Sequence, residues 1–285
     1  MKAGVRPARP ADKGPLMDFI KDVWGGHDYI PRVWEEWLKD RGGRMFVVEV
    51  DGVPVGMNRV RFTEDGEAWF EGVRVHPGFR GQGLASMLGE NSMKVARRRG
   101  SRTFRLTSGS RNKTAHRQIG RMGFKESSRV STYSGPKGRR YSAVEGARRV
   151  GRGEEGDALH MIESTKEFRL GSGVFWHQFT AISLTREVVG GLVAEGAVWT
   201  LDGAVAVTRE GREGVKKWRQ VCFIGGEPKA AGRLVEHVFS LKVGSKPPWR
   251  FAYVPQKSPI ITELRKRGFE RDYALILFER RAAKG

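Results

Sequence analysis

One cysteine, three asparagines and five glutamines are all that 285 residues hold of those types. The lone Cys222 excludes an internal disulfide and any zinc site built on cysteine. Six histidines are scattered without metal-ligand spacing, so no metal is expected. No apolar run approaches the roughly 20 residues of a membrane span. Met1 to Gly14 has neither an apolar core nor a small-residue cleavage site, so no secretory signal is read there. A cytoplasmic protein without membrane contact is expected. The shortage of thermolabile amides is what a heat-adapted protein shows.

Charge, by contrast, is abundant. Lys and Arg number 52 against 32 Asp and Glu, a formal net charge of +20 with an isoelectric point near 10.5. Arginine outnumbers lysine 35 to 17. Such a field attracts phosphates, nucleic acid or an anionic cofactor, and is equally the habit of an arginine-rich proteome. The runs Arg97-Arg98-Arg99, Arg139-Arg140 and Arg148-Arg149 lack interleaved aromatics and no RNA-binding signature accompanies them. They are read as solvated faces rather than a nucleic-acid surface. With 39% hydrophobic residues and a mean hydropathy of -0.49, the chain has enough apolar mass for one large domain or two ordinary ones.

Periodicity supplies a mixed α/β order. A short strand about Val5 precedes a helix from Lys13 to Trp24, with Asp12 as its expected N-cap, and a second helix carries Val33, Trp34, Trp37 and Leu38. Strands follow at Met45 to Val50, Val53 to Phe62 and Ala68 to Val75, the first two joined by Asp51-Gly52. Next come a helix ending near Arg99, a strand at Thr103 to Thr107 and a helix from Asn112 to Met122. The Gly- and Arg-rich stretch from Ser134 to Gly156, with Gly135-Pro136-Lys137-Gly138, is expected to connect two domains. Beyond it helices are expected near Asp157 to Phe168, Pro228 to Leu241 and Pro259 to Arg267. Strands are expected at Val198 to Thr208, Trp218 to Ile224, Arg250 to Val254 and Tyr273 to Glu279.

Arg80-Gly81-Gln82-Gly83-Leu84-Ala85 lies between a strand and a helix, where backbone N–H groups converge on an anion and glycines allow close approach. It is not the dinucleotide fingerprint, because Ser86 stands at the third glycine, and no P-loop is present. The stretch from Val73 to Ala85 resembles the acetyl-CoA loop of the GNAT superfamily of N-acetyltransferases. Asn112, Ala115, Ile119 and Gly123-Phe124 resemble that family's second signature, and Arg6-Pro7-Ala8 with Ala11-Asp12 its start. The likeness covers about residues 3 to 135. It implies a mostly antiparallel sheet flanked by helices and acetyl-CoA as cosubstrate. It also implies that backbone from Val73, Arg74 and Val75 receives the acetyl and pantetheine. Arg80, Gly81, Gln82, Gly83, Leu84, Ala85 and Ser86 would hold the pyrophosphate, and Asn112 the pantetheine arm. Ile119 departs from the family's usual tyrosine acid. Gly25 to Pro31, Trp37-Leu38 and Glu71 to Val75 further resemble the vertebrate histidine N-acetyltransferases, which also carry a large C-terminal domain.

Acetyl transfer requires a neutral amine and a base. Glu71 is the expected base, since strict alternation places it on the sheet face of Val73 and Val75; Glu67 and His76 are fallbacks. Asp28 and Tyr29 are expected at the acceptor, Asp28 holding a cationic amine and Tyr29 walling the pocket or donating a proton, although for either residue alone a helix cap or a core aromatic is the plainer account. The acceptor itself stays open among a small amino acid, a polyamine, a peptide N-terminus and a lysine side chain. A non-catalytic protein that senses acyl-CoA or accompanies nucleic acid is the alternative.

Lys257 to Phe269 aligns without gaps on Asn112 to Phe124, 145 residues earlier, with Leu264 on Ile119 and Gly268-Phe269 on Gly123-Phe124. A duplication is therefore expected: a catalytic domain over 1–135, a linker over 136–156 and a degenerate GNAT-like domain over 157–285. The second copy has Phe223 to Pro228 where the phosphate loop belongs, and Glu227 there would repel phosphate.

Overall fold

The computed structural model describes residues 2–23, 25–136, 138–213, 216–241 and 249–282. Trp24, where the first helix was expected to end, and Lys137 of the expected linker lie outside the described residues, as does the segment 242–248 of the expected second domain. Two compact units emerge. One comprises Met1–Leu106, Lys113–Lys125 and Phe278–Gly285; the other comprises Thr107–Asn112 and Glu126–Leu277.

The first unit contains β1 (Ala3–Pro7), α1 (Lys13–Ile20), α2 (Ile30–Lys39), β2 (Gly43–Val50), β3 (Val53–Phe62), β4 (Ala68–Val75) and α3 (Leu84–Arg98). β5 (Thr103–Gly109), α4 (Lys113–Arg121) and β6 (Lys125–Ser134) follow, only their early portions belonging to this unit in the two strands. β1 to β4 pair antiparallel in sequence order, and β5 joins β4 in parallel. Asp51-Gly52 makes the expected tight turn, with φ of 49° and 83°. Leu16, Ile20, Ile30 and Trp34 from the two helices bury against Met45, Val47 and Met57 of the sheet. Asp12 does not cap α1. Its carboxylate takes a forked pair from Arg6 and the Arg9 N–H instead.

The second unit opens with β7 (Arg148–Arg149), α5 (Glu155–Ser164), α6 (Lys166–Leu170), the hairpin β8 (Val174–His177) and β9 (Thr180–Ser183), and α7 (Arg186–Ala194). There follow β10 (Val198–Leu201), β11 (Ala204–Glu213), β12 (Lys216–Gly226), α8 (Pro228–Ser240), β13 (Trp249–Pro255), α9 (Ile260–Lys266) and β14 (Glu270–Arg281). The single strand expected over Val198 to Thr208 breaks at Asp202-Gly203, whose φ of 44° and 78° repeat the turn of Asp51-Gly52. The helix expected over Asp157 to Phe168 is interrupted at Thr165, whose hydroxyl caps α6 through the Phe168 N–H.

A meander, a helix, a parallel strand and a helix thus recur: β2-β3-β4-α3-β5-α4 in one unit, β10-β11-β12-α8-β13-α9 in the other. The recurrence reaches single hydrogen bonds. Phe124 N–H reaches Ile119 O and Phe269 N–H reaches Leu264 O, closing α4 and α9 over left-handed Gly123 and Gly268 at φ of 77° and 76°. The second unit thus repeats the element order of the first.

The units do not follow the division at 135 and 157, because the last strand of each repeat crosses over in membership. From Glu126, β6 belongs with the second unit and pairs with β13; from Phe278, β14 belongs with the first, where Glu279 pairs with Arg105. Nor do residues after Tyr141 hang free. Tyr141 packs on Phe239 and Phe269, the Val144 N–H bonds His237 Nδ1, and Arg148-Arg149 pair with β10.

Candidate active site

Between β4 and α3 the chain makes one 3-10 turn, Pro77–Phe79, and then passes Arg80 and two left-handed glycines, Gly81 at φ 82° and Gly83 at φ 78°. A Cβ on either glycine would meet nothing within 4 Å, so it is the backbone angle, not crowding, that selects glycine. Gly83 is the N-cap of α3 and offers no side-chain acceptor to the first turn. The leading N–H groups of Leu84, Ala85 and Ser86 therefore point, uncapped, at the positive end of a 15-residue helix.

β4 lines this loop with an open edge. It pairs with β5 at Ala68↔Phe104 and Trp69↔Arg105 and no further among the described residues. His76 N–H bonds Val55 O on β3, so by the two-residue period Arg74 also faces β3 while Val73 and Val75 turn their peptides to the open side. Their carbonyls accept from side chains: Val73 O from Arg74 at 2.9 Å, Val75 O from Arg80 at 3.2 Å.

Strict alternation fails in β4. Glu71 pairs with Arg59 and Arg74 with Met57, so three residues of β4 oppose two of β3. The extra residue is a bulge at Gly72, which takes φ 69° and whose Cβ would lie 2.7 Å from Trp37. Glu71 therefore shares a face with Arg74, not with Val73 and Val75. This is the α1–α2 face, and it is heavily charged. Glu71 Oε1 accepts from Arg59 Nη1 and stands 3.2 Å from Arg61 Nε; Arg59 also pairs with Asp40 and lies 4.7 Å over the Trp37 ring. Oε2 of Glu71 has no donor among the described residues.

Asp28 and Arg74, assigned by the sequence to acceptor and cofactor respectively, meet each other. Asp28 is buried, takes Arg74 Nε at 2.6 Å and Nη2 at 3.1 Å, and accepts the Ile30 N–H at the start of α2. A carboxylate so occupied positions Arg74 and opens α2 rather than facing an acceptor. Tyr29 packs edge-on against Trp37, with Arg74 5.6 Å from its ring. Burial pushes its phenol up to about 12, only partly countered by Arg74.

The fallback bases are committed elsewhere. Glu67 accepts the Arg102 and Thr103 N–H groups at 2.9 and 2.5 Å. His76 Nδ1 accepts the Gly78 N–H, its ring between Phe19 and Phe79. Asn112 precedes α4, its N–H on Gly109 O, and Ile119 is buried, with no proton to give. Arg59, Arg61 and Asp40 escaped sequence reasoning; two arginines two apart on one strand were the available signal.

The second unit treats the same places differently. Only Glu227 separates β12 from α8, and its carboxylate caps the helix through the Ala230 N–H at 2.6 Å. β12 pairs with β13 from Trp218 to Val221. Beyond that, Glu167, 1% exposed, takes the Gly226 N–H at 3.2 Å and the Ser258 hydroxyl at 2.7 Å. A Cβ at Gly225 would strike Thr165 at 2.8 Å.

Among the described residues no helix is long and apolar enough to cross a membrane, and no three His, Cys, Asp or Glu side chains cluster as metal ligands.

Residues 15–124 match the model of the acetyltransferase (GNAT) family. Over 82 residues the chain is 33% identical to a histidine N-acetyltransferase of Oreochromis niloticus, a match covering 28% of this chain and 24% of that one. An uncharacterized N-acetyltransferase of Methanocaldococcus jannaschii is 32% identical over 136 residues, 41% of this chain and 60% of the relative. The chain thus spans about a quarter of the histidine N-acetyltransferase that it matches. The structure of a GCN5-related N-acetyltransferase from Sphaerobacter thermophilus superposes with a TM-score of 0.64 over 99% of this chain and 96% of that one, at 15% identity. That likeness extends the shared fold across both units.

Proposed function

We propose, from the match of residues 15–124 to the acetyltransferase (GNAT) family model, that the chain transfers acetyl from acetyl-CoA to a primary amine by direct attack. The observation that carries this is the uncapped N-terminus of α3 behind two open glycines. Acetyl-CoA, when bound, supplies the acyl group as a thioester from which an amine takes it with release of the thiol. The leading N–H groups of α3 and the Arg80 guanidinium suit its pyrophosphate. The outward peptides of Val73 and Val75 suit the pantetheine and the thioester carbonyl, and Asn112 is assigned the pantetheine arm by family resemblance.

Glu71 is the base of this proposal. Its arginine-bound Oε1 fixes the carboxylate, and Oε2 is left to take the amine proton, directly or through one water. Arg59 and Arg61 fix Oε1 and supply positive charge for an acceptor that carries its own carboxylate. Tyr29 and Trp37 wall the face, and Asp28 holds Arg74 in place. A small amino acid is the proposed acceptor, in a cytoplasmic enzyme. The test is acetyl-CoA-dependent thiol release across free amino acids, polyamines and peptides; turnover confined to peptides removes the amino-acid assignment. Buried Ile119 favours a second reading, an acyl-CoA sensor without turnover. Acetyl-CoA binding with no thiol release from any amine would select it.

A further inference from the structure

The second unit contains two adjoining concavities of about 540 and 360 Å³ that share Arg265 and Arg271. The smaller adds Lys166 and Lys257, and neither concavity is lined by Glu227 or by residues of α8. Four exposed cations converge there, and among the described residues no acidic side chain pairs with any of them. Their neighbours on α9 behave otherwise: Lys266 bonds Glu263 at 2.9 Å and Arg267 bonds Glu236 at 2.7 Å. Glu270 lines the larger concavity but is tied by no ion pair to Arg265 or Arg271. Like charges gathered without a counterion repel one another, and an anion relieves that cost.

The floor is polar as well. Ser131 and Tyr133 of β6 are buried in the lining, with Thr262 beside them, while the Ser258 hydroxyl is already given to Glu167 at 2.7 Å. Ser131 Oγ accepts from Gln256 Nε2 at 3.3 Å, leaving its own proton to donate. Arginine forks above hydroxyl donors match phosphoryl oxygens. The rings of the lining, Tyr133 and Phe269, are each 2% exposed and offer no face for stacking a base, which favours a small phosphorylated molecule over a nucleic-acid strand.

We propose that this basic hollow, built on β6, α6, α9 and the start of β14, is a binding site for a small phosphate-bearing ligand, separate from the α3 loop. It stands independently of the acetyl-transfer proposal.

Calorimetric titration of the full chain with inorganic tripolyphosphate tests it. Binding should persist in Gly83→Asp, which disables the loop, and weaken at least about tenfold in Arg265→Glu and in Lys257→Glu. Both sites of change are exposed, and an unaltered thermal midpoint will show the fold intact; Arg265→Lys should retain binding. Titrating coenzyme A into Gly83→Asp distinguishes ligands, since affinity lost with Lys257→Glu identifies its phosphates as able to fill the hollow and no affinity leaves free phosphate compounds. Tripolyphosphate binding that disappears in Gly83→Asp, or survives both charge reversals, overturns the proposal. So does an oligonucleotide that needs Arg265 and Lys257 while tripolyphosphate fails to bind.

Discussion

Two strand-to-helix junctions of common design meet opposite fates in this molecule. In the first unit eight residues separate β4 from α3, the last of them a glycine with no side chain to spend on the helix. In the second, one residue separates β12 from α8, and it is a glutamate that caps the helix itself. The strand edges differ in the same sense: Val73 and Val75 turn their peptides outward, whereas Gly226 N–H is taken by buried Glu167. A helix N-terminus must be satisfied by something. Where the chain supplies no cap, the N–H groups stay open to an anion; where it supplies a carboxylate, the same groups are occupied and the charge there repels phosphate. The two junctions therefore differ by replacement of a ligand's place rather than by a gap.

The largest effect should come from erasing that difference. Gly83→Asp gives α3 the carboxylate that α8 already has, and acetyl-CoA binding should fall by more than about a hundredfold. Asparagine tolerates the left-handed angle equally and caps without charge, so Gly83→Asn should lose less. Calorimetry on both, with one acetyl-CoA per parent chain, checks this. Equal binding by parent and Gly83→Asp removes the loop assignment.

How much of this was legible beforehand follows from where the physics is local. The left-handed glycines of the loop before α3, the Asp51-Gly52 turn and the helix ending at Gly268-Phe269 were readable, because a positive φ leaves its mark on residue type. Asp202-Gly203 carried the same mark inside an apolar stretch, and alternation alone runs through it. The bulge at Gly72 was not legible as such: a glycine in a strand suggests a bulge, but only pairing with β3 tells which neighbours change face. The Arg59–Glu71 and Asp28–Arg74 pairs are long-range contacts fixed by that register. The exchange of β6 and β14 between units has no local signature at all, since either strand pairs equally well with its own repeat on pattern alone.

Next in size is the chemistry confined to the first unit. Glu71→Gln should lower turnover by on the order of 10² to 10⁴ while leaving acetyl-CoA affinity nearly unchanged. Arg59 keeps Asp40 as a partner, so the fold should survive. Loss of the acidic limb of the pH–rate profile is the signature that separates a base from a structural ion pair. Unchanged turnover and profile would take Glu71 out of the mechanism. Asp28→Asn, which loosens Arg74 against the Tyr29 ring, should raise the acceptor KM several-fold.

The second unit should answer with stability instead of binding. Glu167→Ala strands the Gly226 N–H and the Ser258 hydroxyl in the interior, at about 2 to 3 kcal/mol. Glu227→Ala removes a helix cap at about 1 kcal/mol. Urea unfolding measures both, and neither variant should gain an acetyl-CoA site, because no loop exists to receive it. A second equivalent bound by Glu227→Ala would break the comparison.

The smallest effect distinguishes the units by acid. His237 of the second unit packs against Trp199 at 5.0 Å and receives the Val144 N–H, and burial holds its imidazole below the ordinary 6.5. The unfolded chain therefore takes up this proton first. The stability tied to neutral His237 is complete above about pH 6.5, declines as pH falls toward the depressed folded value, and changes no further below it. Asp12 of the first unit is the opposite kind of group. Burial favours its neutral form, but the Arg6 pair and the Arg9 N–H outweigh burial and hold the carboxyl below the ordinary 3.8. Its contribution is complete above about pH 4 and is lost as pH falls through the lower folded value. Urea midpoints measured from pH 8 to pH 3 should thus show His237→Gln flattening the parent's decline near pH 6, since glutamine still accepts from Val144 without titrating. The gap between parent and Asp12→Asn should close only below about pH 4. A parent curve that stays level from pH 7 to pH 5, with His237→Gln lying parallel to it, would remove His237 as the origin of acid sensitivity in the second unit.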